Sequence, residues 1–172
     1  HKVIQLDIDE KEIGINHPQA IPMIGDAKAS IQKLLKILKA QSSPRKPNVS
    51  LKELLKFRKN ALTTIEPQAS LTNALRDAMP DDSVFVSGMT QIGYYSRTGY
   101  PVNLPRTHIT SSYYGNLGYA YPTALGAKVG RPDIPVLAVS GDGGFLFNSQ
   151  EMATAKQFNI NATVVVFNDN AY

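Results

Sequence analysis

Four residues near the C-terminus could bind a phosphate through a metal ion. The apolar run Pro135–Ser140 (PVLAVS) is typical of a buried strand, and the glycine loop Gly141–Gly144 (GDGG) follows it directly. Glycines let the main chain approach an anion closely and present its N–H groups to it. Asp142 inside this loop would repel a phosphate unless a cation lay between them. A glycine loop that contains a carboxylate therefore predicts a metal-bridged phosphate.

Two other phosphate-binding motifs do not fit this loop. A P-loop requires a lysine after its last glycine, and Phe145 follows Gly144 here. The dinucleotide fingerprint requires a third glycine at a position that Leu146 occupies. Both motifs are excluded.

A second polar loop, Asn168–Tyr172 (NDNAY), follows the apolar run Ala162–Phe167 (ATVVVF). One predicted helix separates the two apolar runs. A right-handed crossover places such strands in parallel, so both loops emerge at the same carboxyl edge of the sheet and Asp142 and Asp169 can reach one ion. Oxygen ligands suit Mg²⁺, which takes its remaining ligands from phosphates and water. Each loop alone is equally consistent with an ordinary turn, but together they favour a magnesium site.

The apolar runs along the chain alternate with helical patterns. Such alternation favours an α/β fold, a doubly wound parallel sheet with helices on both faces. The predicted strands are Val3–Ile8, Ser83–Ser87, Pro135–Ser140 and Ala162–Phe167, and the predicted helices are Ala27–Ala40, Leu51–Lys59, Pro67–Ala78, Gly118–Gly130 and Asn148–Phe158.

The elements predict two domains, each of them incomplete. Residues 1–40 hold one predicted strand and one predicted helix, which is too little for a domain, so we expect a fragment of an α/β domain. Residues 41–66 form a linker (QSSPRKPN) and a helix. Residues 67–172 form most of a second domain, truncated at the C-terminus because Tyr172 follows a strand with no closing element.

Composition excludes several classes of protein. The 172 residues contain no cysteine, which excludes disulfides and thiolate metal sites. We interpret the basic stretch 28–59 as the solvent-exposed face of an amphipathic helix and not as a nucleic-acid site. It lacks a nucleic-acid recognition motif and interleaved aromatic residues. No apolar run is long enough to span a membrane, and we expect no signal peptide, because the first ten residues (HKVIQLDIDE) contain no apolar segment of that type. We expect a cytoplasmic protein that binds neither nucleic acid nor a membrane.

The two loops resemble the thiamine diphosphate motif, in which Gly-Asp-Gly is followed after some two dozen residues by Asn-Asn or a near variant. The motif is shared by the group of acetolactate synthase, pyruvate decarboxylase and benzoylformate decarboxylase. The resemblance implies that Asp142 and Asp169 are magnesium ligands and that Ala171 gives the third ligand, a main-chain carbonyl. Asp169 stands where the group more often has Asn, so the choice of metal or its affinity is open.

The resemblance extends upstream of the glycine loop. Gly115–Gly118 (GNLG) resembles the segment that holds the aminopyrimidine ring. By this resemblance the carbonyl of Gly115 and the N–H of Leu117 would hold the ring, and the Leu117 side chain would force the bent shape of the cofactor. The turn around Thr90 resembles a second diphosphate contact, although Gly88 stands where many relatives carry an acid. The implied cofactor-binding residues are Thr90, Gln91, Gly115, Asn116, Leu117, Gly141, Asp142, Gly143, Gly144, Asp169 and Ala171.

Residues 1–40 resemble the end of the central, Rossmann-like domain of the same group. The matching features are the strand KVIQLDID, Glu12-Ile13-Gly14 and Gly25-Asp26. Some relatives carry FAD against that domain, so FAD remains an open alternative.

The resemblance implies a thiamine diphosphate- and Mg²⁺-dependent enzyme, a lyase or transferase that decarboxylates or ligates 2-keto acids. No catalytic residue is assigned in this chain, because the activating glutamate of the group belongs to a pyrimidine-binding domain, usually of a neighbouring subunit. A homodimer or homotetramer is therefore expected. His108 and His17 are interpreted as packing or surface residues, and the tyrosines 94, 95, 113 and 114 as lining either a substrate pocket or the core and rim.

Three alternatives remain open. The chain could belong to a thiamine-dependent hydrolase or oxidase of the same fold, or it could be a non-catalytic cofactor-domain module. It could also be a Mg²⁺-dependent phosphate-binding protein without thiamine. That last alternative predicts that Gly115–Gly118 does not face the metal site.

Overall fold

The computed structural model describes residues 2–41, 43, 50–111 and 113–170. The chain divides into two compact units, His1–Ser50 and Leu51–Tyr172. Throughout the described ranges, no helix is long and apolar enough to cross a membrane. The assignment of residues 1–40, 41–66 and 67–172 to particular domains stays a prediction.

The first unit contains two short parallel strands and one long helix. Its elements are β1 (Ile4–Asp7), a 3₁₀ turn (Glu10–Glu12), β2 (Ile21–Ile24) and α1 (Ala27–Gln41). The expectation of a single strand here was wrong, since β1 pairs with β2 from Ile4 opposite Ile21 to Asp7 opposite Ile24. The side chain of Asp26 accepts a hydrogen bond from the Ala29 N–H at 2.8 Å and so satisfies a donor at the start of α1.

The second unit is a four-stranded parallel sheet with helices on both faces, as predicted. The strand order is β4-β3-β5-β6. Its elements are α2 (Leu51–Leu62), α3 (Gln68–Asp77), β3 (Val84–Ser87), α4 (Gln91–Gly99), β4 (His108–Thr110), α5 (Ala120–Gly130), β5 (Val136–Gly141), α6 (Asp142–Leu146), α7 (Glu151–Gln157) and β6 (Thr163–Phe167).

Alternation along the two central strands builds a separate core on each face of the sheet. On one face, the small side chains of α5 pack against Val84 and Val86 of β3 and their neighbours on β5. On the other face, Phe85 contacts Tyr100 and is flanked by residues around α3. Strands buried on both faces have no polar face, which explains why β3 and β5 are continuous apolar runs. The buried clusters are Val84, Val86, Ala120, Ala124, Ile134, Val136 and Ala138, and Phe85, Tyr100, Leu137 and Val139.

The structure also contains elements that the pattern did not predict. Helix α4, strand β4 and the short helix α6 were missed, and the predicted helix Asn148–Phe158 is present in shorter form as α7. Helix α6 begins at Asp142, so the glycine loop is itself the first turn of a helix rather than a linker before one.

His108 lies in the aromatic cluster at the edge of the sheet. Its ring lies 5.5 Å from the Phe85 ring and 5.7 Å from the Tyr100 ring, centroid to centroid, and its Nε2 lies 3.4 Å from the hydroxyl oxygen of Ser96. Burial, followed by the positive charge of Arg97, lowers the pKa of His108 below its ordinary value of 6.5. The neutral imidazole is the form that packs here, in agreement with its interpretation as a packing residue.

This pKa shift predicts an acid-sensitive contribution to stability. The folded protein holds His108 with a lowered pKa, so the unfolded chain takes up the proton first as pH falls. The contribution of His108 to the free energy of unfolding is therefore fully present above about pH 6.5, the pKa of an ordinary histidine, and is lost as the pH falls below it. Urea unfolding should show a free energy of unfolding that falls more steeply from pH 7 to pH 5 in the wild type than in His108→Gln. Parallel curves for the two proteins would contradict the prediction.

Candidate functional site

The register between β5 and β6 brings the two acidic loops together. Gly141, the last residue of β5, pairs with Phe167, the last residue of β6. Asp142 and Asn168 are therefore the first residues of two adjoining loops at one sheet edge. The side chain of Asn168 accepts a hydrogen bond from the main-chain N–H of Asn170 at 2.9 Å, which closes a turn around Asp169.

The order of the strands reverses beside these loops. Strand β3 lies between β4 and β5, so the chain runs from β3 to one side and then crosses back to the other. Open α/β sheets bind ligands in the crevice outside the strand ends where this reversal occurs. The loop after β3 and the glycine loop after β5 meet there, since a Cβ added to Gly141 would lie 3.7 Å from the Cβ of Thr90.

The segment Gly115–Gly118 contacts the same loops. Gly115 and Gly118 have φ values of +65° and +79°, which L side chains rarely adopt. The Asn148 side chain donates a hydrogen bond to the Gly118 carbonyl at 2.8 Å. A Cβ added to Gly144 would lie 3.7 Å from Leu117 Cδ2. The segment thus faces the glycine loop, contrary to what the thiamine-free phosphate-binding alternative predicts.

A cavity of about 570 Å³ lies between these loops and α3. Its lining residues are Pro67, Gln68, Leu71, Met89, Thr90, Gln91, Ile92, Tyr94, Leu117, Gly141, Asp142, Gly143, Gly144, Phe167, Asn168 and Asp169. Eight of the eleven predicted cofactor-binding residues are among them. Gly115 and Asn116 are not, and Ala171 lies outside the described residues. The sulfur of Met89, which does line the cavity, lies 3.2 Å from where a Cβ on Gly115 would be, so Gly115 lies beside a lining residue.

The charges that line the cavity fit a metal-bridged anion. Of its described lining residues, Asp142 and Asp169 are acidic and none is Lys, Arg or His. No group of three or more His, Cys, Asp or Glu side chains that could hold a metal occurs within the described ranges. Two carboxylates do not complete an octahedral shell, so a Mg²⁺ ion here would need further oxygens, which a diphosphate and main-chain carbonyls supply. A cation would also attract the anion, since the described lining residues include no cationic side chain.

The four tyrosines near the site have different environments. Tyr94 lines the cavity, and the Arg97 guanidinium carbon lies 5.5 Å from its ring centroid. Tyr95 is buried and donates a hydrogen bond to the Leu62 carbonyl at 3.3 Å. Tyr113 and Tyr114 are 93% and 87% exposed and do not line the cavity. Only Tyr94 is placed to contact a ligand in it.

Helix α3 borders the cavity through residues that no motif indicated. Pro67, Gln68 and Leu71 line it, and the Gln68 side chain donates a hydrogen bond to the Gln91 side chain at 2.6 Å. Nothing in the residue types of α3 signals this, since the contact depends on how α3 packs against α4.

Comparison with known proteins agrees with this geometry. Residues 88–172 match the family described as "Thiamine pyrophosphate enzyme, C-terminal TPP binding domain". The chain is 31% identical to the probable 2-ketoarginine decarboxylase of Pseudomonas aeruginosa, over 99% of this chain and 31% of that protein. It is 30% identical to the probable acetolactate synthase large subunit of Methanocaldococcus jannaschii, over 98% of this chain and 30% of that protein.

The match to a third relative covers a similar share of both proteins. The large subunit of acetolactate synthase isozyme 1 of Escherichia coli is 28% identical over 99% of this chain and 31% of its own length. The chain thus spans about a third of the length of these curated relatives.

Gly88 is required by the close approach of β3 and β5. Its N–H donates to the Val139 carbonyl at 2.8 Å, and an added Cβ would lie 2.7 Å from that oxygen and 3.1 Å from the Cβ of Ala120. The oxygen belongs to a buried main chain that cannot move aside. An acidic side chain, which many relatives were expected to carry here, does not fit without displacing the backbone.

Gly88→Ala should therefore destabilise the chain by about 1–3 kcal/mol, the usual cost of overpacking a core. Gly126→Ala is the matched control, because an added Cβ there meets nothing within 4 Å inside α5. Removing a helical glycine should stabilise by roughly 0.5–1 kcal/mol. Urea unfolding of both variants checks the pair, and equal effects of the two substitutions would contradict the packing described for Gly88.

Proposed function

Because this chain belongs, through residues 88–172, to the family of the C-terminal TPP binding domain of thiamine pyrophosphate enzymes, we propose that its cavity binds the diphosphate end of thiamine diphosphate through Mg²⁺. The enzyme acts on 2-keto acids, by decarboxylation or by carboligation. Relatives named as a 2-ketoarginine decarboxylase and as acetolactate synthases support this reaction class.

One observation carries the proposal: three separate loops meet at a single cavity. Asp142 follows β5, Asp169 follows β6, and Leu117 approaches the glycine loop from before α5. A phosphate site would need only the first two loops. The third supplies an apolar side chain next to the diphosphate end, where thiamine continues into its rings.

The two aspartates hold the cation. Asp142 is half-buried and Asp169 is exposed at the neighbouring strand end. Their carboxylates would supply two of the oxygen ligands that Mg²⁺ requires, and the resemblance implies the Ala171 main-chain carbonyl as a third. Asp169 in place of asparagine adds a negative charge, which strengthens attraction for the cation and leaves less positive charge facing the diphosphate.

Neutral donors hold the anion itself. The first turn of α6 has main-chain N–H groups without partners inside the helix, and the side chains of Thr90 and Gln91 also line the cavity. The Leu117 side chain, which lines the cavity, would support the pyrimidine end of the cofactor, as the resemblance implies. Apolar residues over the rest of the wall, among them Leu71, Ile92 and Phe167, exclude water.

Thiamine diphosphate, when bound, supplies a carbon nucleophile and an electron sink for the electron pair that is released when the 2-keto acid loses its carboxylate as CO₂. Asp142 and Asp169 are the carboxylates among the described lining residues of the cavity, and both would bind the metal in the proposed site. We therefore infer that the glutamate that activates the cofactor belongs to another domain, of a second subunit in a homodimer or homotetramer.

Calorimetry of the complete polypeptide with thiamine diphosphate and Mg²⁺ tests the ligand roles. Asp142→Ala should weaken cofactor binding at least about tenfold, because loss of a charge-assisted contact costs roughly 1.5–3 kcal/mol. Asp169→Ala should have a comparable effect. Asp169→Asn should retain most of the affinity, because the amide keeps an oxygen ligand.

Asp133→Ala is the control for a lost negative charge, since Asp133 is exposed and does not line the cavity. Cofactor affinity in Asp133→Ala should equal that of the wild type. Wild-type affinity in Asp142→Ala would contradict the proposed metal site.

A further inference from the structure

Two glutamine side chains that line the cavity are hydrogen-bonded to each other. Gln68 is the first residue of α3 and Gln91 is the first residue of α4. The Nε2 of Gln68 donates a hydrogen bond to the Oε1 of Gln91 at 2.6 Å, and both residues line the cavity. Gln91 is one of the residues that the resemblance implies for the diphosphate, whereas Gln68 has no role in any motif of the sequence.

The chemistry of the amide group gives this hydrogen bond a direction. A glutamine amide has an oxygen that only accepts and an NH₂ group that only donates. An unrestrained Gln91 could present either end to the cavity. Because Gln68 donates to the oxygen of Gln91, the NH₂ group of Gln91 remains as the end that is available to a ligand.

The orientation matters because the cavity offers few donors. No Lys, Arg or His is among its described lining residues, so an anion depends on the cation, on main-chain N–H groups and on neutral side chains. Diphosphate oxygens only accept hydrogen bonds. An amide oxygen turned toward them would repel the anion, and an NH₂ group would bind it.

We propose that Gln68 is a positioning residue for the diphosphate: its hydrogen bond to Gln91 Oε1 holds the Gln91 amide with its donors toward the anion in the cavity. This inference rests on the proposed function. Gln68 acts through Gln91, and it selects for an acceptor-only ligand at this wall of the site.

A purely structural role makes a different prediction. If the hydrogen bond only joins α3 to α4, its loss would lower the stability of the folded chain. Any change in cofactor affinity would then be the same with and without the Gln91 side chain. The substitution Gln68→Glu separates the two roles. A glutamate can still accept a hydrogen bond from the NH₂ group of Gln91 and join the helices, but it turns the amide oxygen of Gln91 toward the cavity.

The test is a double-mutant cycle on the dissociation constant of thiamine diphosphate, measured by calorimetry of the complete polypeptide with saturating Mg²⁺. Gln68→Ala should raise the dissociation constant about fivefold, which corresponds to one ordinary hydrogen bond. Gln68→Glu should raise it further. In a Gln91→Ala background, Gln68→Ala should have no effect, and Gln68→Glu should show only the smaller effect of its charge.

Asn73→Ala is the matched control, because it removes an exposed amide from the same helix and does not line the cavity. Its cofactor affinity should equal that of the wild type. Thermal unfolding without cofactor shows whether each variant is folded. If Gln68→Ala does not fold, Gln68→Glu still tests the proposal, because it keeps a hydrogen bond between the two helices.

The outcomes separate this inference from the proposed function. Wild-type binding that is lost in Asp142→Ala but unchanged in both Gln68 variants would overturn the role of Gln68 and leave the cofactor site standing. Equal effects of Gln68→Ala with and without Gln91 would also overturn it. A wild-type protein that does not bind thiamine diphosphate with Mg²⁺ would overturn the proposed function, and the role of Gln68 with it.

Discussion

The parallel pairing of Gly141 with Phe167 determines where both acidic loops begin. Asp142 and Asp169 are separated by a crossover of two short helices, yet this single register pair makes their loops neighbours. A slip of one residue would also exchange Val164 and Val165, which pack against the cores on opposite faces of the sheet, so packing on both faces fixes the register and, with it, where the two acidic loops begin. The site therefore depends on sheet packing rather than on contacts between the loops themselves.

The proposed site also requires that neighbouring segments of the chain pack closely against each other at two glycines. Gly88 lets β3 lie against β5, and Gly118 leaves room for the Asn148 side chain that ties the Leu117 turn to the start of α7. These glycines do not contact a ligand in the proposed site. They bring its three loops near enough to line one cavity. Because the described lining residues include no cationic side chain, an anion there would be held by a metal ion and by neutral donors from these loops.

Much of the sheet was predictable from the sequence, because β3, β5 and β6 are apolar runs that end in polar loops. Strand β2 was missed because it is four residues long and contains Pro22, and α4 because Gly93 and Gly99 interrupt its helical pattern. The glycine loop and the acidic loop were recognised from their spacing. Gln68 was not, because its contact with Gln91 exists only after α3 packs against α4, which leaves no local pattern in the chain.

A crystal structure of the complete polypeptide with thiamine diphosphate and Mn²⁺ in place of Mg²⁺ tests the proposed metal site most directly. Mn²⁺ accepts the same oxygen ligands and is located by its anomalous scattering. We predict one ion within coordination distance of both Asp142 and Asp169 and of the diphosphate, with the thiamine rings running toward Leu117. An ion that contacts neither aspartate, or a diphosphate bound elsewhere, would contradict the proposal.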